Sequence, residues 1–364
     1  MEPESKFDLK SILNIDDIVK RELKRFQELK ELVKDLKFVP VDPIGTYSSV
    51  TYKSVDGGKM GIHFDPFEFD FVIIADSIGN QLMSYLVPKA DKLTSLDFLF
   101  LDKFPQVKRF LEILGEPSLS TTSNILSNAQ IAMELTEYAC IFDKLTRSRD
   151  EPVIIMKDGL LRTIALKPEC IKKLIDVLKS YKRAKLIGVA KSSRVLNLIS
   201  AALFISNIIP FGYTGFIEIP WEIEKLAYKW KGRGIQDDKK STHLFHAFGK
   251  LYVVKLSKVS NLLVTIEIPY DFENDMEVYS KREVYELIGH LIKDSAGSYP
   301  ILGYPQTIMR AHEKAVRFGF TASIWQDKII QRILDALKDE NIKKLIIENN
   351  YLRDYVDKGM LGGF

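Results

Sequence analysis

Three short runs rich in β-branched and aromatic residues follow one another early in the chain, at residues 49–55, 60–64 and 69–75. Runs of this composition, separated by turn residues, predict an antiparallel meander of three strands. Further along, strand-like segments alternate with segments whose apolar residues recur at the spacing of an amphipathic helix. A meander followed by alternating strands and helices predicts an α/β fold, with a mixed sheet flanked by helices.

The other predicted elements divide the chain into a core and two extensions. Helical spacing over residues 8–36 predicts a helix, and Pro40 and Pro43 predict a linker after it. We therefore expect an N-terminal helical extension over residues 1–40, a core domain over 41–320 and a C-terminal helical extension over 321–364. Later strands are predicted at 153–156, 185–190, 251–256 and 262–268, and helices at 127–145, 168–182, 193–208, 281–293, 306–317 and 324–337.

The composition is that of a globular protein, with 46% hydrophobic and 28% charged residues. Polar residues interrupt the apolar stretch 195–210, which is shorter than the roughly 20 residues that span a bilayer, so no transmembrane helix is predicted. The first ten residues contain acids and no apolar run, unlike a secretory signal, and we expect a cytoplasmic protein. Cys140 and Cys170 lie in apolar helical patterns, which predicts two buried free thiols.

The formal net charge is only +3, so any surface for a polyanion has to be local. Two basic clusters are candidates for such a surface, and each also fits an ordinary solvated face. One contains Lys179, Lys182, Arg183, Lys185, Lys191 and Arg194, and the other Lys229, Lys231, Arg233, Lys239 and Lys240.

Two aspartates follow apolar strands and are candidate metal ligands. Asp56 comes after the first predicted strand and precedes two glycines, and Asp158 follows the run 153–156 and precedes Gly159. Ligands commonly bind beyond strand ends in α/β sheets, so carboxylates there can hold a cation. Both aspartates also fit ordinary turns, and Asp65 before Pro66 competes with Asp56 for the same role.

A third acid comes from the helix predicted at 127–145. Glu134 falls on the apolar face of that helix, whereas Glu137 falls toward the edge of the face. A carboxylate among apolar residues has to be paired or bound to a metal, since burying an isolated charge costs several kcal/mol. Glu134 is thus a candidate ligand, with a salt bridge as the alternative and Glu137 as its competitor.

The segment from Gly303 to His312 supplies a tyrosine and a histidine eight residues apart, Tyr304 and His312. His312 shares a helix face with apolar residues, which is typical of a core histidine as well as of a ligand. An imidazole nitrogen among carboxylate oxygens suits Mn²⁺ as well as Mg²⁺. Hydrolysis of a phosphodiester by two metals requires carboxylates that converge from separate elements, as these acids would have to do.

Together these segments resemble the NurA family, archaeal and bacterial nucleases with an RNase H-like core that work with the hexameric translocase HerA. The resemblance covers roughly residues 45–320. It rests on Val55-Asp56-Gly57-Gly58, on Lys157-Asp158-Gly159-Leu160-Leu161, and on the stretch from Gly303-Tyr304-Pro305 to Ala311-His312.

The resemblance implies site residues and an activity. Asp56, Glu134, Asp158 and His312 match metal ligands, and Tyr304 would orient a phosphate or a water. The family usually has serine where this chain has Gly58, which puts the local hydrogen bonding in question. Lys191, and Arg194 in the same basic cluster, would contact DNA.

The implied activity is that of a metal-dependent nuclease, a 5′ to 3′ exonuclease with single-strand endonuclease activity. It would use Mn²⁺ or Mg²⁺ and act on DNA ends in resection before recombination. A HerA-type ATPase and a second copy of the chain are the implied partners.

Two other classes stay open. A catalytically degenerate member would keep the fold as a DNA-binding or translocase-adaptor subunit, and Gly58 is the one hint of it. A zinc site at His243 and His246 has no third ligand nearby. The sequence lacks a phosphate-binding loop ending in Gly-Lys-Ser/Thr, so energy-driven translocation would require a partner.

Overall fold

The computed structural model describes residues 15–45, 49–89, 101–118, 126–229, 235–236, 241–242 and 245–361. Within these ranges no helix combines the length and the apolar character needed to cross a bilayer. His243 and four of the five residues of the second basic cluster, all but Lys229, lie outside the described residues.

The strands form one large mixed sheet and one small antiparallel sheet. They are β1 (Val39–Pro40), β2 (Thr51–Phe64), β3 (Phe67–Asp76), β4 (Gln81–Pro88), β5 (Val153–Asp158), β6 (Ala184–Ala190), β7 (Gly215–Glu218), β8 (Ile235–Gln236), β9 (Ser241–Thr242), β10 (Phe245–His246), β11 (Gly249–Lys255), β12 (Leu263–Asp271) and β13 (Met276–Glu277).

The helices cover both faces of the large sheet. They are α1 (Ile15–Val33), α2 (Pro105–Leu114), α3 (Asn128–Arg147), α4 (Pro168–Ser180), α5 (Arg194–Ile205), α6 (Trp221–Lys229), α7 (Lys281–Ser295), α8 (Gln306–Ala336) and α9 (Glu340–Leu361). Ser127 with Gln130 and Ser280 with Glu283 form capping boxes, which satisfy free backbone N–H groups where α3 and α7 begin.

Five neighbouring strands have the order β4-β3-β2-β5-β6. The first three are antiparallel to one another, and β5 then pairs in parallel with both β2 and β6. In chain order this is 3-2-1-4-5, the arrangement of an RNase H-like sheet, so the predicted fold class is confirmed. Beyond β6 the sheet continues antiparallel through β12, β11, β7 and β1.

The pleat of β5 and β6 separates two cores. Ile155 and Leu186 pack on the face covered by α3 and α4. Ile154 and Met156 point to the opposite face, where α7 and the start of α8 lie, with Ile308 fully buried there. Alternate residues of a strand point to opposite faces, so a strand buried on both faces has no polar side. A third core joins α1, α5 and α6 to β7 and β11.

Most predicted elements are confirmed, but two interpretations were wrong. The runs 49–55 and 60–64 belong to one strand, β2, so Asp56 lies inside a strand and not at its end. Gly57 and Gly58 allow close packing there and do not form a turn. The predicted helices at 306–317 and 324–337 are one helix, α8, and no proline interrupts it between residues 306 and 336. Cys140 and Cys170 are buried and unpaired, as predicted.

Candidate metal centre

Asp56 lies on β2 between two helices that pack on opposite faces of the strand. A Cβ atom at Gly57 would stand 2.5 Å from Oε1 of Glu137 on α3, and one at Gly58 would stand 3.1 Å from the carbonyl oxygen of Ala315 on α8. The two glycines therefore let α3 and α8 approach the strand next to Asp56. Asp56 points to the α8 face and is 7% exposed.

Asp158 is the last residue of β5 and lies beside Asp56. The parallel register pairs Val55 with Lys157, so each aspartate comes one residue after this pair. Gly159 follows with φ 94°, a conformation that favours glycine, and turns the chain away from the sheet. Burial and the charge of Asp56 raise the pKa of Asp158.

His312 completes the group from α8. Its Nδ1 lies 2.9 Å from Oδ2 of Asp56 and 3.7 Å from Oδ2 of Asp158. The buried face of α8 carries Ile308 and Ala311, and His312 stands at the border of that face with its side chain 49% exposed. The hydrogen bond to Asp56 raises the pKa of His312, although burial opposes the shift.

One ligand atom from each of Asp56, Asp158 and His312 lies within 4.8 Å of the other two. No other group of three such side chains is found among the residues that the structure describes. Two carboxylates held this close repel each other, and a divalent cation between them would remove that repulsion. The oxygen and nitrogen donors fit a transition metal such as Mn²⁺.

Tyr304 contacts this group from the buried side, through a hydrogen bond to Asp158. It is fully buried, and its hydroxyl donates to Oδ1 of Asp158 at 3.0 Å. Burial and the neighbouring Asp158 raise the pKa of Tyr304, so the phenol keeps its proton. The hydrogen bond orients the carboxylate and leaves its second oxygen turned toward His312.

Sequence comparison identifies the family. The NurA domain model matches residues 99–317, more than half of the chain, including Asp158, Tyr304 and His312. The chain belongs to the NurA family. No curated protein is similar enough in sequence to count as a match.

Several solved structures are similar in outline. The NurA nuclease from Sulfolobus solfataricus is 14% identical, with a TM-score of 0.46, and the alignment covers 90% of this chain and 96% of that one. A NurA structure with dAMP and manganese is 13% identical, with a TM-score of 0.40 over 93% and 100% of the two chains. The catalytic domain of human endonuclease V is 12% identical, with a TM-score of 0.27 over 84% and 99%.

The two glutamates of α3 lie outside the group of Asp56, Asp158 and His312. Contrary to the helix pattern, Glu137 is the more buried of the two, at 5% exposure, while Glu134 is partly exposed. The prediction that Glu137 lies toward the edge of the apolar face was wrong, because α3 is buried around most of its circumference by α2 and by strands β2 to β4. Burial raises the pKa of Glu137 to about 7, against the opposing charge of Lys157.

Sequence reasoning missed Lys157. Its ammonium lies 3.2 Å from Oε2 of Glu137, and its side chain is only 8% exposed. The signal was a charged residue on an apolar strand, at a position where the alternation of β5 points into the α3 core. Burial favours the neutral amine, but Glu137 and Glu134 outweigh it and raise the pKa of Lys157.

The two predicted DNA-contacting residues differ in exposure. Lys191 follows the last residue of β6, is exposed, and its ammonium lies 4.9 Å from the ring centroid of Tyr304. It therefore stands at the rim of the aspartate and histidine group. Arg194 is the first residue of α5 and is partly buried.

Two competing candidates lie apart from the group. Asp65 lies in the turn between β2 and β3, where its N–H donates to Oδ1 of Asn350. His246 pairs through its backbone with Thr163. Neither contributes to the group formed by Asp56, Asp158 and His312.

Proposed function

We propose that this NurA-family chain is a metal-dependent DNA nuclease that hydrolyses phosphodiester bonds at the group of Asp56, Asp158 and His312. The observation that carries the proposal is the convergence of three ligand atoms from β2, β5 and α8 within 4.8 Å. The group lies where two aspartates meet on neighbouring parallel strands, with a lysine at the rim. This combination suits a polyanionic substrate that reacts next to a cation.

The three side chains would hold a divalent ion, Mn²⁺ or Mg²⁺. When bound, such an ion would neutralise charge on the reacting phosphate and lower the pKa of a water molecule. Asp56 and His312 contact each other directly, so each keeps the other in a ligating orientation. Tyr304 fixes Asp158 through its hydrogen bond and is itself held by burial.

Lys191 and Arg194 would contact the DNA backbone. An exposed ammonium at the rim neutralises phosphate charge and positions the strand without reading its sequence. Lys191 is the better placed of the two, because it is exposed and lies over the ring of Tyr304.

A two-metal reaction would need a further carboxylate from α3. The candidates are Glu134, which the resemblance to the NurA family implies as the ligand, and Glu137. We favour Glu137 because its Oε1 lies against Gly57, the residue next to Asp56. Glu134 accepts a hydrogen bond from Thr163 and lies near Lys157.

Membership of the NurA family supports the wider role. We propose a 5′ to 3′ exonuclease and single-strand endonuclease that acts in the cytoplasm, as a homodimer, on DNA ends during break resection. The energy for translocation would come from a HerA-type hexameric ATPase.

The proposal is tested with Asp56→Ala and Asp158→Ala in an assay of Mn²⁺-dependent degradation of linear duplex DNA. Each variant should lower the cleavage rate by at least about a thousandfold, because the cation loses an anionic ligand. Thermal unfolding should change little. The matched control is Asp271→Ala, which also removes a buried aspartate. Asp271 ends β12, and the part of β12 that pairs with Ala190, next to Lys191, lies several residues earlier. This variant should therefore keep its cleavage activity.

Cleavage that persists in both variants would show that the reaction occurs elsewhere. A wild-type chain that binds DNA but neither binds Mn²⁺ nor cleaves would instead favour the adaptor function.

A further inference from the structure

Lys157 is a buried cation that is not part of the group of Asp56, Asp158 and His312. Its ammonium lies 3.2 Å from Oε2 of Glu137 and 3.2 Å from the carbonyl oxygen of Asp158. It also lies 6.0 Å from the ring centroid of Tyr138 on α3. The ammonium is thus placed between α3 and the end of β5.

Negative charge surrounds this position. Glu137 and Glu134 approach it from α3, and Asp56 from β2. A carboxylate and a backbone carbonyl oxygen are also ligands that a divalent cation accepts. Burying an ammonium is costly unless neighbouring groups compensate for its lost hydration. Here the compensating groups are carboxylates and a carbonyl oxygen, which would also attract a metal ion.

Gly57 brings Glu137 next to the strand that carries Asp56. Because Gly57 has no side chain, Oε1 of Glu137 approaches β2 to within 2.5 Å of the position of a Cβ atom. Asp56 is the adjacent residue on the strand. Glu137 is therefore beside a metal ligand, but its other oxygen is engaged by Lys157.

We propose that Lys157 competes with a second divalent ion for Glu137, so that the site fills in order. The first ion binds tightly at Asp56, Asp158 and His312, and the second binds weakly because it has to displace the ammonium. Glu134 is the carboxylate that remains to pair with Lys157 after the displacement. The inference rests on the proposed function, since it assumes the first ion.

The two α3 glutamates then have different roles. Glu137 is a ligand of the second ion, and Glu134 is a positioning residue that keeps the buried lysine compensated. Lys157 is likewise a positioning residue, because it acts on the metal through Glu137. A nuclease of this kind would respond to Mn²⁺ concentration in two steps.

The test is a titration of the metal-free full chain with Mn²⁺, followed by electron paramagnetic resonance of the free ion. Lys157→Met removes the charge and keeps most of the volume, and Lys157→Arg is the matched control that keeps the charge. We expect one tight and one weak ion in the wild type and in Lys157→Arg. In Lys157→Met the weak ion should tighten by at least about tenfold, with the tight ion unchanged.

An unchanged or weaker second ion in Lys157→Met would overturn the inference. Glu137→Gln provides an independent test if Lys157→Met does not fold, because it should lose the weak ion and keep the tight one. A Glu137→Gln chain that still binds two ions would also overturn it. A wild-type chain that binds no Mn²⁺, or a tight ion that survives in Asp56→Ala, would instead contradict the proposed function.

Discussion

Nδ1 of His312 lies 2.9 Å from Oδ2 of Asp56, although the two residues are 256 positions apart in the chain. The contact joins α8 to the middle of β2. It also links protonation to metal binding, because an imidazolium cannot act as a ligand while it carries both protons. The hydrogen bond to Asp56 raises the pKa of His312 despite the opposing effect of burial.

We expect His312 in the metal-free chain to titrate above the ordinary histidine value of about 6.5. The pair then stabilises the metal-free fold fully below the ordinary value and loses this contribution as the pH rises through the raised one. Mn²⁺ affinity should fall as the pH drops below the raised pKa, since the proton competes with the ion.

Nuclear magnetic resonance of the His312 ring protons checks this prediction. Asp56→Asn should lower the pKa of His312, whereas Asp271→Asn, on the far end of β12, should leave it where it is. A His312 pKa that is the same in the wild type and in Asp56→Asn would contradict the assignment of the shift to this contact.

Lys191→Gln should weaken DNA binding without changing sequence preference. One fewer phosphate contact should raise the Kd several-fold and reduce the slope of log K against log salt by about one. Fluorescence anisotropy of a labelled single strand, with catalysis blocked by Asp158→Ala, measures both quantities.

The matched control for Lys191 is Lys281→Gln. Lys281 is also exposed, but it is the first residue of α7. Glu283 in the same helical turn pairs with Lys185 near the start of β6, whereas Lys191 follows the other end of β6. The same change in slope for both variants would mean that Lys191 contributes only general charge.

Gly57→Ala and Gly58→Ala compare the two helix contacts of β2. A methyl group at Gly57 would stand 2.5 Å from Glu137 and 2.7 Å from Cγ of Met133, so α3 or its side chains have to shift. We expect Gly57→Ala to lower the free energy of unfolding by about 1–3 kcal/mol, as overpacked cores do.

Gly58→Ala should have the smaller effect, because its methyl group would stand 3.1 Å from one carbonyl oxygen of Ala315. We expect a loss below about 1 kcal/mol. Urea unfolding of both variants measures the difference, and a greater loss in Gly58→Ala would reverse the assignment of the tighter contact to α3.

Local patterns predicted much of the fold. Helical spacing predicted α3, α4, α5 and α7, and β-branched runs predicted β5, β6, β11 and β12. These predictions succeeded because each element buries a continuous apolar face or strand, which periodicity reports directly. The Asp56 segment failed because Asp-Gly-Gly has the composition of a turn, while its glycines serve two helix contacts.

The candidate site was only partly accessible from sequence. Asp56, Asp158, Tyr304 and His312 were named from motifs, and the structure brings them together. The burial of Glu137 was misjudged because helical periodicity predicts one buried face, and α3 is packed on more than one side.

By itself the sequence determined the α/β class, the order of the main elements and the residue types able to bind a cation. Only the tertiary structure decided which of those residues meet, since the register of β2 with β5 and the path of α8 bring distant residues together. It also decided that Lys157 engages Glu137. An ion pair between β5 and α3 depends on how two elements pack, and no periodicity within either element encodes that distance.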